Sequence, residues 1–98
     1  MALDDAEVLV QSIGLHAVSA IGKENLRALE VALDAENGEA HIVVVLQNET
    51  EEQILRATDK LNDLQILFLG EVSINWAFEE PGSRTRTVRA TEKQYQYA

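Results

Sequence analysis

The sequence predicts a single small α+β domain of order α-β-β-α-β(-β), a mainly antiparallel sheet with two helices on one face. Three observations predict it. Glu36-Asn37-Gly38-Glu39 stands between two apolar runs, and Asn-Gly in that setting is the strongest short-range signal for a β-hairpin. Residues 4–21 and 51–64 repeat apolar side chains at helical spacing. Residues 71–79 alternate, with Val72, Ile74, Trp76 and Phe78 on one face and Glu71, Ser73, Asn75, Ala77 and Glu79 on the other. Ninety-eight residues leave room for one core. A hydrophobic content of 46% is that of a folded chain and excludes disorder.

In the first helix, Asp4-Asp5-Ala6-Glu7 has the pattern of a capping box, with Leu3 and Val8 placed for a hydrophobic staple. Val8, Leu9, Val10, Ile13, Leu15, Ala17, Val18, Ala20 and Ile21 cover much of its circumference. Such breadth means deep burial or a second contact surface. Gly14 costs such a helix about 1 kcal/mol relative to Ala, unless a neighbour packs close there. Gly22 is a natural stop.

The hairpin occupies residues 26–47. As a strand, its first arm puts Leu29, Val31, Leu33 and Ala35 on one face and Ala28, Glu30, Ala32 and Asp34 on the other. A helix is the rival: residues 27–34 are rich in helix formers, Leu26, Leu29 and Leu33 have helical spacing, and Asn37-Gly38 would serve as its C-cap. The second arm decides for the hairpin. Ile42-Val43-Val44-Val45-Leu46 is β-branched and apolar on both faces, so it is a strand that needs a paired neighbour. Asn37-Gly38 is then expected to form a type I′ turn.

Thr50-Glu51-Glu52-Gln53 fits a capping box for the second helix. Ile54, Ala57, Leu61 and Leu64 form its buried stripe, Glu52, Arg56, Asp59, Lys60 and Asp63 its wet face, and Glu52–Arg56 is an i,i+4 pair. Residues 65–69 either extend this helix or lead into the third strand. Trp76, in phase with the core, is expected to be buried beneath the helices. Glu80-Pro81-Gly82-Ser83 is a turn. Residues 84–90 alternate weakly, as an edge strand would, and residues 91–98 have the composition of a frayed or partner-bound tail. Pairing of strand 3 with strand 1 gives the order 2-1-3(-4) and sets strand 2 at an edge. The alternative keeps strand 2 between strands 1 and 3, its second face covered by residues 84–97.

Net charge is −9, unevenly placed: −12 over residues 1–80, a compact acidic domain, and +3 over residues 81–98, its basic edge strand or tail. An acidic body repels nucleic acid and favours a basic protein partner. Arg84, Arg86 and Arg89, followed by Tyr95 and Tyr97, are the one basic and aromatic cluster, and it more simply neutralises its own domain. With no cysteine there is no disulfide, thiolate nucleophile or thiolate-held metal, which suits a cytoplasmic location. The apolar stretch of the first helix is too short and polar to span a bilayer and follows acids rather than the bases of a secretory signal.

His16 and His41 are the only histidines, and neither falls in HxxxH, HExxH or a triad fragment. The glycines form no phosphate loop and the serines no nucleophile elbow. The acid pairs give no sign of convergence in a cleft. No catalytic, cofactor or metal site is therefore expected. The sequence points to a non-catalytic interaction or regulatory domain that self-associates, as a homodimer, through its sheet, its first helix or both. Ile42, Val43, Val44, Val45 and Leu46 are the expected contact residues, with Arg84, Arg86 and Arg89 beside them. An acidic immunity or inhibitor protein covering the basic site of a nuclease or toxin is the alternative. A small enzyme using His16 or His41 comes third.

Overall fold

The computed structural model describes residues 5–34, 36–79 and 93–97. Their elements are α1 (Asp5–Ile21), a 3₁₀ turn (Lys23–Asn25), β1 (Leu26–Asp34), β2 (Glu39–Leu46), α2 (Glu51–Leu67), β3 (Ser73–Phe78) and β4 (Lys93–Tyr97). Among these residues four strands form one mixed, mainly antiparallel sheet of order β3-β2-β1-β4. β1 is antiparallel to β2 and to β4, whereas β2 and β3 are parallel. A parallel pair of neighbours needs a long crossover, and α2 supplies it.

The β-branched run makes β2 a central strand, with a paired neighbour on each edge. This corrects the order 2-1-3(-4). Strand 3 joins β2 and leaves the far edge of β1 to β4. The alternative expectation of a strand 2 between strands 1 and 3 is the one observed. The cover proposed for its second face falls largely on residues 84–92, outside the described residues. Lys93–Tyr97 pairs along β1 as an edge strand, the first of the two forms expected for residues 81–98, where residues 91–98 themselves have the composition of a frayed or partner-bound tail. The expected strand over residues 84–90 and the turn at Pro81 lie outside the described residues.

The hairpin is wider than a type I′ turn allows. Asp34 pairs with Glu39, so four residues separate the arms. Asp34 organises this loop: its carboxylate accepts from the Asn37 backbone N–H at 3.3 Å and from Asn37 Nδ2 at 2.7 Å. Gly38 is left-handed, at φ 65°. Its carbonyl accepts from the Ser73 N–H at 2.8 Å, which anchors the start of β3.

At the other end of β1 the ladder slips by one residue. Leu26 pairs with Leu46 and Ala28 with Val45, so Arg27 is the extra residue of a β-bulge. The bulge turns Leu26 onto the same face as Leu29, Val31 and Leu33, and all four are buried. This is how a leucine three residues from Leu29, the spacing that suggests a helix, serves a strand.

Both helices lie on that face. The core joins Val10, Ile13, Ala17, Val18 and Ile21 of α1 to Ala57, Leu61 and Leu64 of α2, with Leu29, Val31, Ile42, Val44 and Ile74 of the sheet below. Thr50 caps α2 as its sequence predicts, accepting from the Gln53 N–H at 3.2 Å, and Arg56 pairs with Glu52 at 3.1 Å. α2 runs through Leu67, so residues 65–67 extend the helix and residues 68–71 turn. Gln65 Nε2 donates to the Ile74 carbonyl at 2.9 Å and ties the helix to β3. Trp76 packs against the core but is only half-buried, because β3 is an outer strand of the sheet. Asp4 and Leu3, expected at the α1 cap, lie outside the described residues.

Candidate protein-interaction surface

The contact residues expected on β2 are inside the fold. Ile42, Val43, Val44, Val45 and Leu46 are between 0 and 7% exposed. Alternation sends Ile42, Val44 and Leu46 to the helices and Val43 and Val45 to the opposite face, with Ala28 and Ala32, and these too are buried. β2 therefore offers no free apolar surface. Arg84, Arg86 and Arg89 lie outside the described residues.

The histidines belong to separate places. His16, exposed on α1, donates from Nδ1 to the Ser12 carbonyl at 2.8 Å and sets its ring edge-on to Phe68, centroids 5.6 Å apart. His41 Nε2 is 3.8 Å from Glu39 Oε2, and both side chains are close to half exposed. Among the described residues no three His, Asp or Glu side chains converge on a point where a metal would sit, and no polar or charged side chain is buried. A cleft of about 610 Å³ between α1 and β4 is lined by Leu15, Val18, Ser19, Lys23, Glu24 and two tyrosine rings. It holds one base and one acid and gathers no set of reactive groups.

The helices are different. Val8 and Leu15 of α1, Leu55, Ile66 and Leu67 of α2, and Leu69 in the turn after it are 45–71% exposed. These are all the exposed large apolar side chains among the described residues, and every one belongs to the helical layer. α1 and α2 lie antiparallel. Ala20 and Ile21 meet Gln53, Ala57 and Lys60 at one end, while Val8 and Leu9 meet Phe68 and Glu71 at the other. Val8 and Leu15 stand two turns apart on the side of α1 away from Val10 and Ala17. Leu55 and Ile66 hold the corresponding place on α2, opposite Leu61 and Leu64. Around them lie the exposed Glu7, Glu51, Glu52, Asp59, Asp63 and Glu71, with the exposed Arg56 and Lys60 on the side of α2 nearest α1.

The breadth of α1 announced half of this surface. The other half was legible at Leu55, which falls outside the buried stripe of α2, and hidden in residues 65–69, where a continuous apolar run carries no periodicity to say which side chains face out.

Comparison with protein-family models, curated proteins and solved structures finds no match to this chain. Among the described residues no helix is long and apolar enough to cross a membrane.

Proposed function

We propose that this is a non-catalytic protein-interaction domain whose docking surface is the outer face of α1 and α2. One observation carries the reading: the large apolar side chains left in water all lie on the helical layer. Scattered single apolar residues are ordinary on a surface, whereas a concentration on one layer marks a contact site. The sheet supplies the rigid platform, and charged residues between the apolar ones keep the free domain in solution.

Of the routes expected for self-association, the one through strand 2 loses its motive, since that strand is central and buried, while the one through the first helix keeps the exposed Val8 and Leu15. A second copy docking on the helical face would bring the same excess of acids over Arg56 and Lys60. A second reading rests on the acidic balance of residues 1–80: an inhibitor that covers the basic site of a nuclease or toxin. The two readings differ in salt dependence, since an electrostatic complex weakens steeply with ionic strength and an apolar one much less.

The experiment is to replace Leu15, Leu55 and Ile66 together by serine and follow the tagged protein on native gels of cells that produce it. The wild type is expected to migrate within a larger complex, and the variant as the free, folded chain. A wild type that migrates alone, or a variant that stays in the complex, would overturn the proposal.

A further inference from the structure

We infer that the groove where the start of α1 meets the end of α2 accepts a basic amphipathic helix of another protein, an inference that rests on the helical face being the docking surface. Two depressions of about 380 Å³ each adjoin there. One opens over Glu7, Gln11 and Leu15, the other over Leu9, Phe68 and Glu71, and Val8 and Ser12 line both. The two meet at Val8 and Ser12, the first lying on α1 alone and the second between α1 and the turn after α2, with a carboxylate beside each. α1 lines both depressions with its side chains, so an occupant is recognised by side chains, as in helix-in-groove docking.

Charge selects the occupant. The groove lining contains Glu7 and Glu71 and no lysine or arginine. The last turn of α2 carries no basic residue to answer the negative end of its dipole. Of the two bases on α2, Arg56 is held by Glu52 at 3.1 Å, and Lys60 lies toward the other end of the helix pair, beside Ala20 and Ile21. Lysines or arginines flanking the apolar anchors of a partner helix would meet Glu7 and Glu71. A second copy would bring the same two acids instead, a like-charge juxtaposition that costs affinity.

The test uses two peptide probes with the full chain, a leucine/lysine amphipathic helix and a leucine/glutamate one, followed by calorimetry and amide chemical shifts. The lysine peptide is expected to bind, with shifts confined to the first half of α1 and residues 64–72. Glu7→Lys combined with Glu71→Lys should weaken it by roughly tenfold or more, a loss of at least about 1.4 kcal/mol, while leaving the circular dichroism of the protein unchanged. Equal binding of the glutamate peptide, shifts centred elsewhere, or an unaltered affinity in the charge-reversed variant would overturn the inference. So would a sedimenting dimer that protects Val8 and Phe68, which would give the groove to a second copy. If the lysine peptide fails while the serine variant still loses its native complex, the docking face stands and the partner chemistry is wrong. If both fail, the face itself is wrong.

Discussion

At the residue scale the most telling position is Gly14. Within a helix it should be a liability of about 1 kcal/mol. The structure supplies the compensation: the Tyr95 ring of β4 lies where a Cβ on Gly14 would be. The sequence showed the cost and named a close neighbour as the remedy, but not the neighbour, because the partner lies some eighty residues on, in the stretch that resembled a frayed tail. Two effects of opposite sign meet here, and a double-mutant cycle separates them. Gly14→Ala alone should destabilise the fold by about 1–3 kcal/mol, through overpacking against Tyr95. In a Tyr95→Ala background the same change should stabilise it by about 0.5–1 kcal/mol, the ordinary helix preference for alanine. Urea unfolding of the four proteins measures both. The same sign in the two backgrounds would contradict the contact.

At the scale of elements, the hairpin and both helices were legible because each is written in local chemistry: the β-branched run, the capping threonine, the helical stripe. Loop geometry and sheet order were not. Asn37-Gly38 signals a turn, but the Asp34 carboxylate, bonded to Asn37, holds the arms four residues apart instead of two. Whether strand 3 joins β1 or β2 depends on where α2 lays the chain down, which no local pattern encodes. Gly38 still carries the loop. Its φ of 65° suits glycine, and a Cβ there would meet nothing within 4 Å. The penalty for a side chain is thus purely one of backbone conformation. Gly38→Val should cost about 1–3 kcal/mol, and Gly38→Asn clearly less, since asparagine tolerates the left-handed region. Equal melting temperatures for the two variants would mean that the loop does not hold this conformation.

At the scale of the molecule, the chain has sorted its apolar residues against first expectation. The β2 run that looked like an interface is the middle of the sheet, and the surplus apolar surface stands on the helices. Amount and periodicity of hydrophobic residues reveal that there is more apolar surface than one core side can hold. They do not reveal where the excess goes, since that follows from which strand becomes central. The functional reading depends on this partition, and the most direct test of it is equilibrium unfolding of Val45→Lys beside Ile66→Lys. Val45 is 3% exposed and Ile66 69%. Burying an unpaired ammonium at Val45 should remove on the order of 3 kcal/mol or more, enough to unfold much of the population. A lysine at Ile66 should leave stability within about 0.5 kcal/mol of the wild type, as surface changes do. A Val45→Lys protein that stays folded while Ile66→Lys unfolds would contradict the account, placing β2 at the surface and the outer face of α2 in the core.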